Sequence, residues 1–152
     1  MKVNLKLDVN AYRPTKAHDT DAGFDLYTPY DFKLPPATCV NSGDATNEAW
    51  LGSAIIDTGV HIEIPKGYVG FIKSKSGLNI KQGITAEGVI DSGYTGSIVV
   101  KLYNNTEVPY YFKAGNKITQ LVILPIPDIE LVEVEEFADT ERGDNGFGSS
   151  GI

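Results

Sequence analysis

Val3, Leu5, Leu7 and Val9 interleave with Asn4, Lys6 and Asp8, a period of two that predicts a strand with one buried face. Similar patterns predict short strands at Ala22–Tyr27, ended by Pro29, and at Phe32–Leu34, ended by Pro35-Pro36. Ile55-Ile56 and then Val60, Ile62 and Ile64 resume the pattern, and Tyr68–Ile72 follows a turn at Pro65-Lys66-Gly67. Ile98–Tyr103 reads as a strand closed by Asn104-Asn105; Tyr110–Phe112 is a short aromatic strand, and Ile118–Ile126 an apolar core strand. Ile129, Leu131 and Val134 continue in extended form. Arg13–Asp21 reads as loop, and the glycine-punctuated Lys73–Gly83 has room for one or two helical turns. No window sustains a period near 3.6, so the pattern predicts an all-β sandwich, jelly roll or barrel.

Three stretches stand apart. Gly88–Ile98 reads as a strand, a tight turn and a returning strand, a hairpin that displays Asp91 and Tyr94. Residues 41–52 are polar up to Ala49-Trp50-Leu51 and read as a surface excursion with a small apolar anchor. Residues 139–152 carry too few apolar side chains to pack alone and are expected to be mobile. The expected organisation is a barrel over 1–138 and a glycine-rich tail over 139–152.

Composition narrows the functional classes. The 152 residues suit one domain with a sizeable core. A net charge of -7 argues against direct nucleic-acid binding, and means that a polyanionic ligand would need placed cations or a metal ion. Cys39 is the only cysteine, so no internal disulfide forms, and no cationic neighbour in sequence activates it as a nucleophile. The N-terminal alternation contains no apolar block, so neither a signal peptide nor a membrane span is expected, and the expected location is the cytoplasm.

The candidate chemistry lies in a few places. Asp91 fits a general base, although aspartate in such a turn more commonly caps it. Tyr94 fits a sugar or base platform, with cross-strand packing as the ordinary alternative. Lys73-Ser74-Lys75-Ser76-Gly77 offers ammonium and hydroxyl groups to phosphate but is not a Walker motif; a solvated basic loop is its commoner meaning. In the tail, Arg142 offers a planar cationic fork, Phe147 a stacking face, and Gly148, Ser149 and Ser150 donors for anions. Asp25 reads as a turn residue or a metal-associated carboxylate. His18 and His61 have no metal-ligand spacing and receive no role.

The order of these pieces carries more than any one of them. Ala22-Gly23-Phe24-Asp25-Leu26, Ser74-Lys75-Ser76-Gly77-Leu78, Gly88-Val89-Ile90-Asp91-Ser92-Gly93-Tyr94, Gly115–Leu121 and Arg142–Gly151 resemble, in sequence order, the five motifs of the homotrimeric dUTPase family. The resemblance implies a β-clip or jelly-roll barrel, a homotrimer with active sites shared between subunits, and Mg²⁺-dependent hydrolysis of dUTP to dUMP and pyrophosphate. It implies that Asp91 activates the attacking water and that Tyr94 lies beneath the deoxyribose. The main chain from Thr85 through Gly88, Val89 and Ile90 would pair with uracil. Lys75, Ser76, Gly77 and Gln120 would serve the phosphates, and Asp25 would reach Mg²⁺ through water while the phosphates hold the metal. The tail would close as a lid, bringing Arg142 to the γ-phosphate and Phe147 onto uracil, with Gly148, Ser149 and Ser150 alongside.

The chain departs from the family pattern at Lys75, where arginine is usual, at Asn116-Lys117, and at Thr95. Lysine keeps the charge but loses the bidentate fork. These changes and the 41–52 insertion resemble bacteriophage or prophage members. A dCTP deaminase-like activity is the competing enzymatic reading, which the complete fifth motif opposes. A regulatory protein partner docking at residues 41–52 is a further expectation.

Overall fold

A computed structural model describes residues 1–41, 47–50, 52–140 and 143. The chain opens with β1 (Asn4–Leu7), β2 (Phe24–Tyr27), β3 (Phe32–Leu34) and the pair β4 (Thr38–Asn41) and β5 (Asn47–Trp50). It continues through β6 (Gly52–Asp57), β7 (Val60–Glu63) and β8 (Tyr68–Lys73) into the helix α1 (Ser76–Gln82). After the helix come β9 (Ile84–Thr85), β10 (Glu87–Ile90), β11 (Val99–Asn104), β12 (Tyr110–Phe112) and β13 (Lys117–Pro125).

Every strand pairing is antiparallel, and the strands form small sheets in the orders β10-β8-β13-β2, β6-β11-β9, β1-β7, β12-β3 and β4-β5. This is the expected all-β jelly roll. The sheets turn their apolar faces onto one core, which includes Leu26, Ile56, Ile72, Ile98, Leu102 and Leu121. In β11 the alternation is clean: Val100, Leu102 and Asn104 are buried, while Val99 and Lys101 are exposed. Asn104 is tolerated inside because its amide donates to the carbonyls of Pro35 and Val108, at 3.0 and 2.8 Å, and accepts from the Thr106 N–H at 3.0 Å.

Four differences from the sequence reading have physical reasons. First, Gly88–Ile98 is not a hairpin, because β10 pairs with β8 while β11 pairs with β6 and β9. Residues 91–98 therefore cross between two sheets and leave β10 as an edge strand. Alternation shows which face of a strand is buried, but not which strand it pairs with. Second, the 41–52 excursion belongs to a β-hairpin that starts earlier, at Thr38, with Thr38 opposite Trp50 and Asn41 opposite Asn47; residues 42–46 and 51 lie outside the described residues. Third, the segment with Ile129, Leu131 and Val134, read as extended, joins no sheet among the described residues, and these side chains are 70%, 94% and 54% exposed. Fourth, the two-residue β9 is too short to show a period, yet it pairs with Tyr103 and Asn104. The helical turn expected after Lys73 is present as α1, closed by Gly83 in the left-handed conformation with φ 61°.

Candidate active site

The candidate residues divide into two groups, and the register of one sheet separates them. The first group is centred on β13. Gln120 lies opposite Asp25 of β2 on one side and Lys73 of β8 on the other. Its amide donates to the Ser74 carbonyl at 3.1 Å. The side chain passes close over Gly23, where an added Cβ would sit 2.7 Å from Gln120 Oε1, so glycine there gives the amide its room.

Asp25 is only 5% exposed, and its two oxygens face two lysines. Lys75 pairs with one oxygen, and Lys117 reaches the other at 2.7 Å. Lys117 lies opposite Tyr27, two residues along from Asp25 on the same face, so it approaches diagonally. Burial pushes the Asp25 carboxyl up, but the hydrogen bonds from Lys117 and Lys75, together with their charges, outweigh it and hold the group below the usual carboxylate range. Lys75 also marks the N-terminal boundary of α1, so Ser76 and Gly77 open the helix with their surfaces exposed.

A lowered carboxyl pKa stabilises the fold above the unfolded-state value, and that contribution is lost as pH falls through the folded-state value. Asp25→Asn is therefore expected to cost about 2 kcal/mol at pH 7, less than for a fully enclosed pair because Lys117 is 41% exposed. The cost should shrink progressively below about pH 4, the unfolded-state value, as pH falls toward the lower folded-state value. Urea unfolding of both proteins from pH 7 to pH 3 checks this; a cost independent of pH would show that the two lysines do not stabilise the ionised form.

The second group is centred on β10. The Ser74 hydroxyl accepts from the Ala86 N–H at 2.9 Å and donates to the Ala86 carbonyl at 3.1 Å, tying the end of β8 to the β9–β10 junction. Beside this tie is a cavity of about 570 Å³ lined by Lys73, Ser74, Asn79, Thr85, Ala86, Glu87 and Tyr103. Gly88 and Ile90 are half-buried and Val89 is exposed. On the side away from β8, the main chain of β10 has no strand partner among the described residues.

Asp91 follows β10 and is exposed, and its carboxylate has no hydrogen-bond partner among the described residues. Only its main-chain carbonyl closes the turn, accepting from the Tyr94 N–H at 3.2 Å. The side chain is therefore not the turn cap that the local sequence suggested. The Tyr94 hydroxyl donates to the Ser97 carbonyl at 2.9 Å, and its ring lies over Gly96, where a Cβ would come within 2.5 Å of the ring hydroxyl. Tyr94 thus packs within its own loop, not across a hairpin, and remains 46% exposed.

Glu87 lies opposite Lys73 and Ile90 opposite Gly70, so Asp91 lies level with Val69, at the other end of β8 from Lys73. Four residues of strand separate the two groups by about 13 Å lengthwise, and β2 lies three strands across from β10. Within one chain, Asp91 and Tyr94 do not meet Lys75, Gln120 and Asp25. Arg142, Phe147, Gly148, Ser149 and Ser150 lie outside the described residues. Sequence reading missed Ser74 as a brace, although it stands inside the basic loop, and it did not connect Lys117 to Asp25, because only strand pairing brings them together.

The fold defines a class: small antiparallel β proteins of jelly-roll architecture. The family is fixed by comparison. The dUTPase family model matches residues 10–151, and the chain belongs to that family. It is 39% identical to the deoxyuridine 5'-triphosphate nucleotidohydrolase of Mycolicibacterium gilvum, over 97% of this chain and 92% of the relative. It is 38% identical to the same enzyme of Cutibacterium acnes, over 91% of this chain and 85% of the relative. Among solved structures, the dUTPase of Staphylococcus bacteriophage 80alpha with dUPNHPP superposes with a TM-score of 0.84 at 32% identity, covering 99% of both chains. The dUTPase from phage phi11 of S. aureus, described with a species-specific insert, gives 0.76 at 28% identity, covering 92% of this chain and all of that one.

Proposed function

We propose that the chain hydrolyses dUTP to dUMP and pyrophosphate, with Asp91 activating the water that attacks the α-phosphorus. Membership of the dUTPase family supports the reaction. The observation that carries the assignment of Asp91 is its carboxylate: exposed, without a partner among the described residues, and following a strand whose outward edge has no strand partner among those residues. That edge suits uracil, whose donors and acceptors match a peptide backbone; cytosine reverses the pattern at position 4 and leaves groups unpaired. Tyr94, placed by Gly96, supplies a flat surface for the deoxyribose.

The phosphates fall to Lys75, Ser76, Gly77 and Gln120 of a second copy, because the register keeps these residues away from Asp91 of the same chain. This supports a homotrimer with shared sites. The tail from residue 139 is proposed to close over the nucleotide, with Arg142 on the γ-phosphate, Phe147 on the base, and Gly148, Ser149 and Ser150 around the phosphates.

Among the described residues no three acidic, histidine or cysteine side chains gather as a metal cage. Asp25, a buried carboxylate kept ionised by Lys75 and Lys117, is the residue that would reach Mg²⁺ through water, with the phosphates holding the ion. When bound, Mg²⁺ neutralises phosphate charge that this acidic protein otherwise repels. A docking role for residues 41–52 in regulation belongs to the same proposal: one solved relative is described as a phage dUTPase controlling transfer of virulence genes.

The test is pyrophosphate release from dUTP, dCTP, dTTP and UTP, with and without Mg²⁺. Turnover is expected on dUTP with Mg²⁺, with dCTP poorer by about two orders of magnitude or more, because a rejected pattern leaves buried polar groups unpaired. Ammonia release from dCTP, or equal rates on all four nucleotides, would overturn the reading.

A further inference from the structure

Residues 91–98 carry both Asp91 and Tyr94, so whatever holds this loop sets their position. Its end is fastened to the β6–β7 corner. The Ile98 N–H donates to the Val60 carbonyl at 2.8 Å, and the Thr58 hydroxyl donates to the Ile98 carbonyl at 2.7 Å. The Ser97 hydroxyl donates to the Asp57 carboxylate, which also accepts the Gly59 N–H at 3.0 Å.

One further fastening has a different chemistry. His61, on β7, places Nδ1 2.8 Å from the Thr95 carbonyl and Nε2 3.1 Å from Asp8 Oδ2. Its side chain is only 17% exposed. Both ring nitrogens face groups that can only accept. A neutral imidazole has one N–H and one lone pair, so it satisfies one of these acceptors and turns its lone pair toward the other. An imidazolium donates to both. Thr95 follows Tyr94 directly, so the bond to its carbonyl bears on the loop beside the sugar platform.

We propose that His61, as the imidazolium, is a positioning residue that straps the Asp91–Tyr94 loop to the end of β1. Substrate binding and turnover thereby become sensitive to the protonation of a side chain that touches neither substrate nor metal. The surrounding charges are mixed. Lys6 lies directly opposite His61 on β1 and opposes its charge; Asp8 and Asp57 favour it. Glu63, two positions along β7, is engaged by the Asn4 amide at 2.7 Å. The bonds to Thr95 and Asp8 raise the imidazole pKa, against burial and Lys6. A raised histidine pKa adds stability that is fully present below the unfolded-state value and is lost as pH rises through the folded-state value. The strap is therefore closed on the acid side and releases on the alkaline side.

The chain has two histidines, so His18 serves as an internal control in a ring NMR titration of the intact protein. His61 is expected to titrate above the ordinary histidine value of about 6.5, and Asp8→Asn should lower it. The Thr95 carbonyl resonance should shift with it. In parallel, wild-type kcat/KM for dUTP should fall about fivefold across the His61 titration, the scale of one lost hydrogen bond. That break should move with the Asp8→Asn shift, disappear in His61→Gln, and persist in His18→Gln. His61 titrating at or below the ordinary value, or a break unmoved by either strap variant, would overturn the proposal. This inference rests on the dUTP reading only for its kinetic arm: without any dUTP turnover the ring titration and the Thr95 response still decide it.

Discussion

Asp91→Asn should leave dUTP binding within a few-fold of wild type and lower turnover by about three orders of magnitude, within the range of about 10²–10⁴ for a positioned general base. The amide keeps the size of the carboxylate and can no longer take a proton from water. The fold should barely notice, because the side chain is exposed and has no partner among the described residues; exposed substitutions of this kind usually stay within about 0.5 kcal/mol. Single-turnover hydrolysis and dUTP binding, measured on the same preparation, separate the two effects. A variant that turns over dUTP at the wild-type rate would remove Asp91 from the mechanism; one that fails to bind would make it a binding residue.

Asp91→Asn and Lys75→Ala should each be nearly inactive alone and active when mixed. The reason is the register of one sheet: Glu87 stands opposite Lys73, and Asp91 is carried to the other end of β8. A site that needs Asp91 from one copy and Lys75 from another is intact wherever the two sound halves meet. With equal amounts and free exchange in a closed ring, about a quarter of sites qualify. The test is to unfold the two variants together, refold them, and compare the rate with each variant refolded alone. Recovery to about a quarter of wild type is expected. No recovery, with mixed oligomers demonstrated by mass, would place the whole site within one chain. The test does not depend on the His61 strap, because neither substitution touches Asp8, His61 or Thr95.

The burial pattern was legible in the sequence because it is local. Val100 and Leu102 point inward and Lys101 outward, as a period of two requires once one face is covered. The turn at Gly67, with φ of 83°, was legible for the same reason: left-handed backbone favours glycine whatever surrounds it. The ordered motifs identified the family and the residue types the chemistry needs.

Pairing was not legible, and pairing decides the site. Nothing in Gly88–Ile98 says that its two apolar runs enter different sheets, since both would alternate equally well as a hairpin. That one choice leaves β10 as an edge and puts Asp91 and Tyr94 on a crossing loop. Lys117 was only a departure from the family pattern until β13 was laid beside β2, where it shares Asp25 with Lys75. His61 had no role until residues 34 and 53 positions away in sequence met its two nitrogens. The sequence by itself determined the alternation, the turns and the chemical inventory, because these depend on a residue and its neighbours in the chain. Only the tertiary structure decided which strand is an edge and which carboxylate meets a lysine, because those depend on contacts between residues far apart in the chain, which no local pattern encodes.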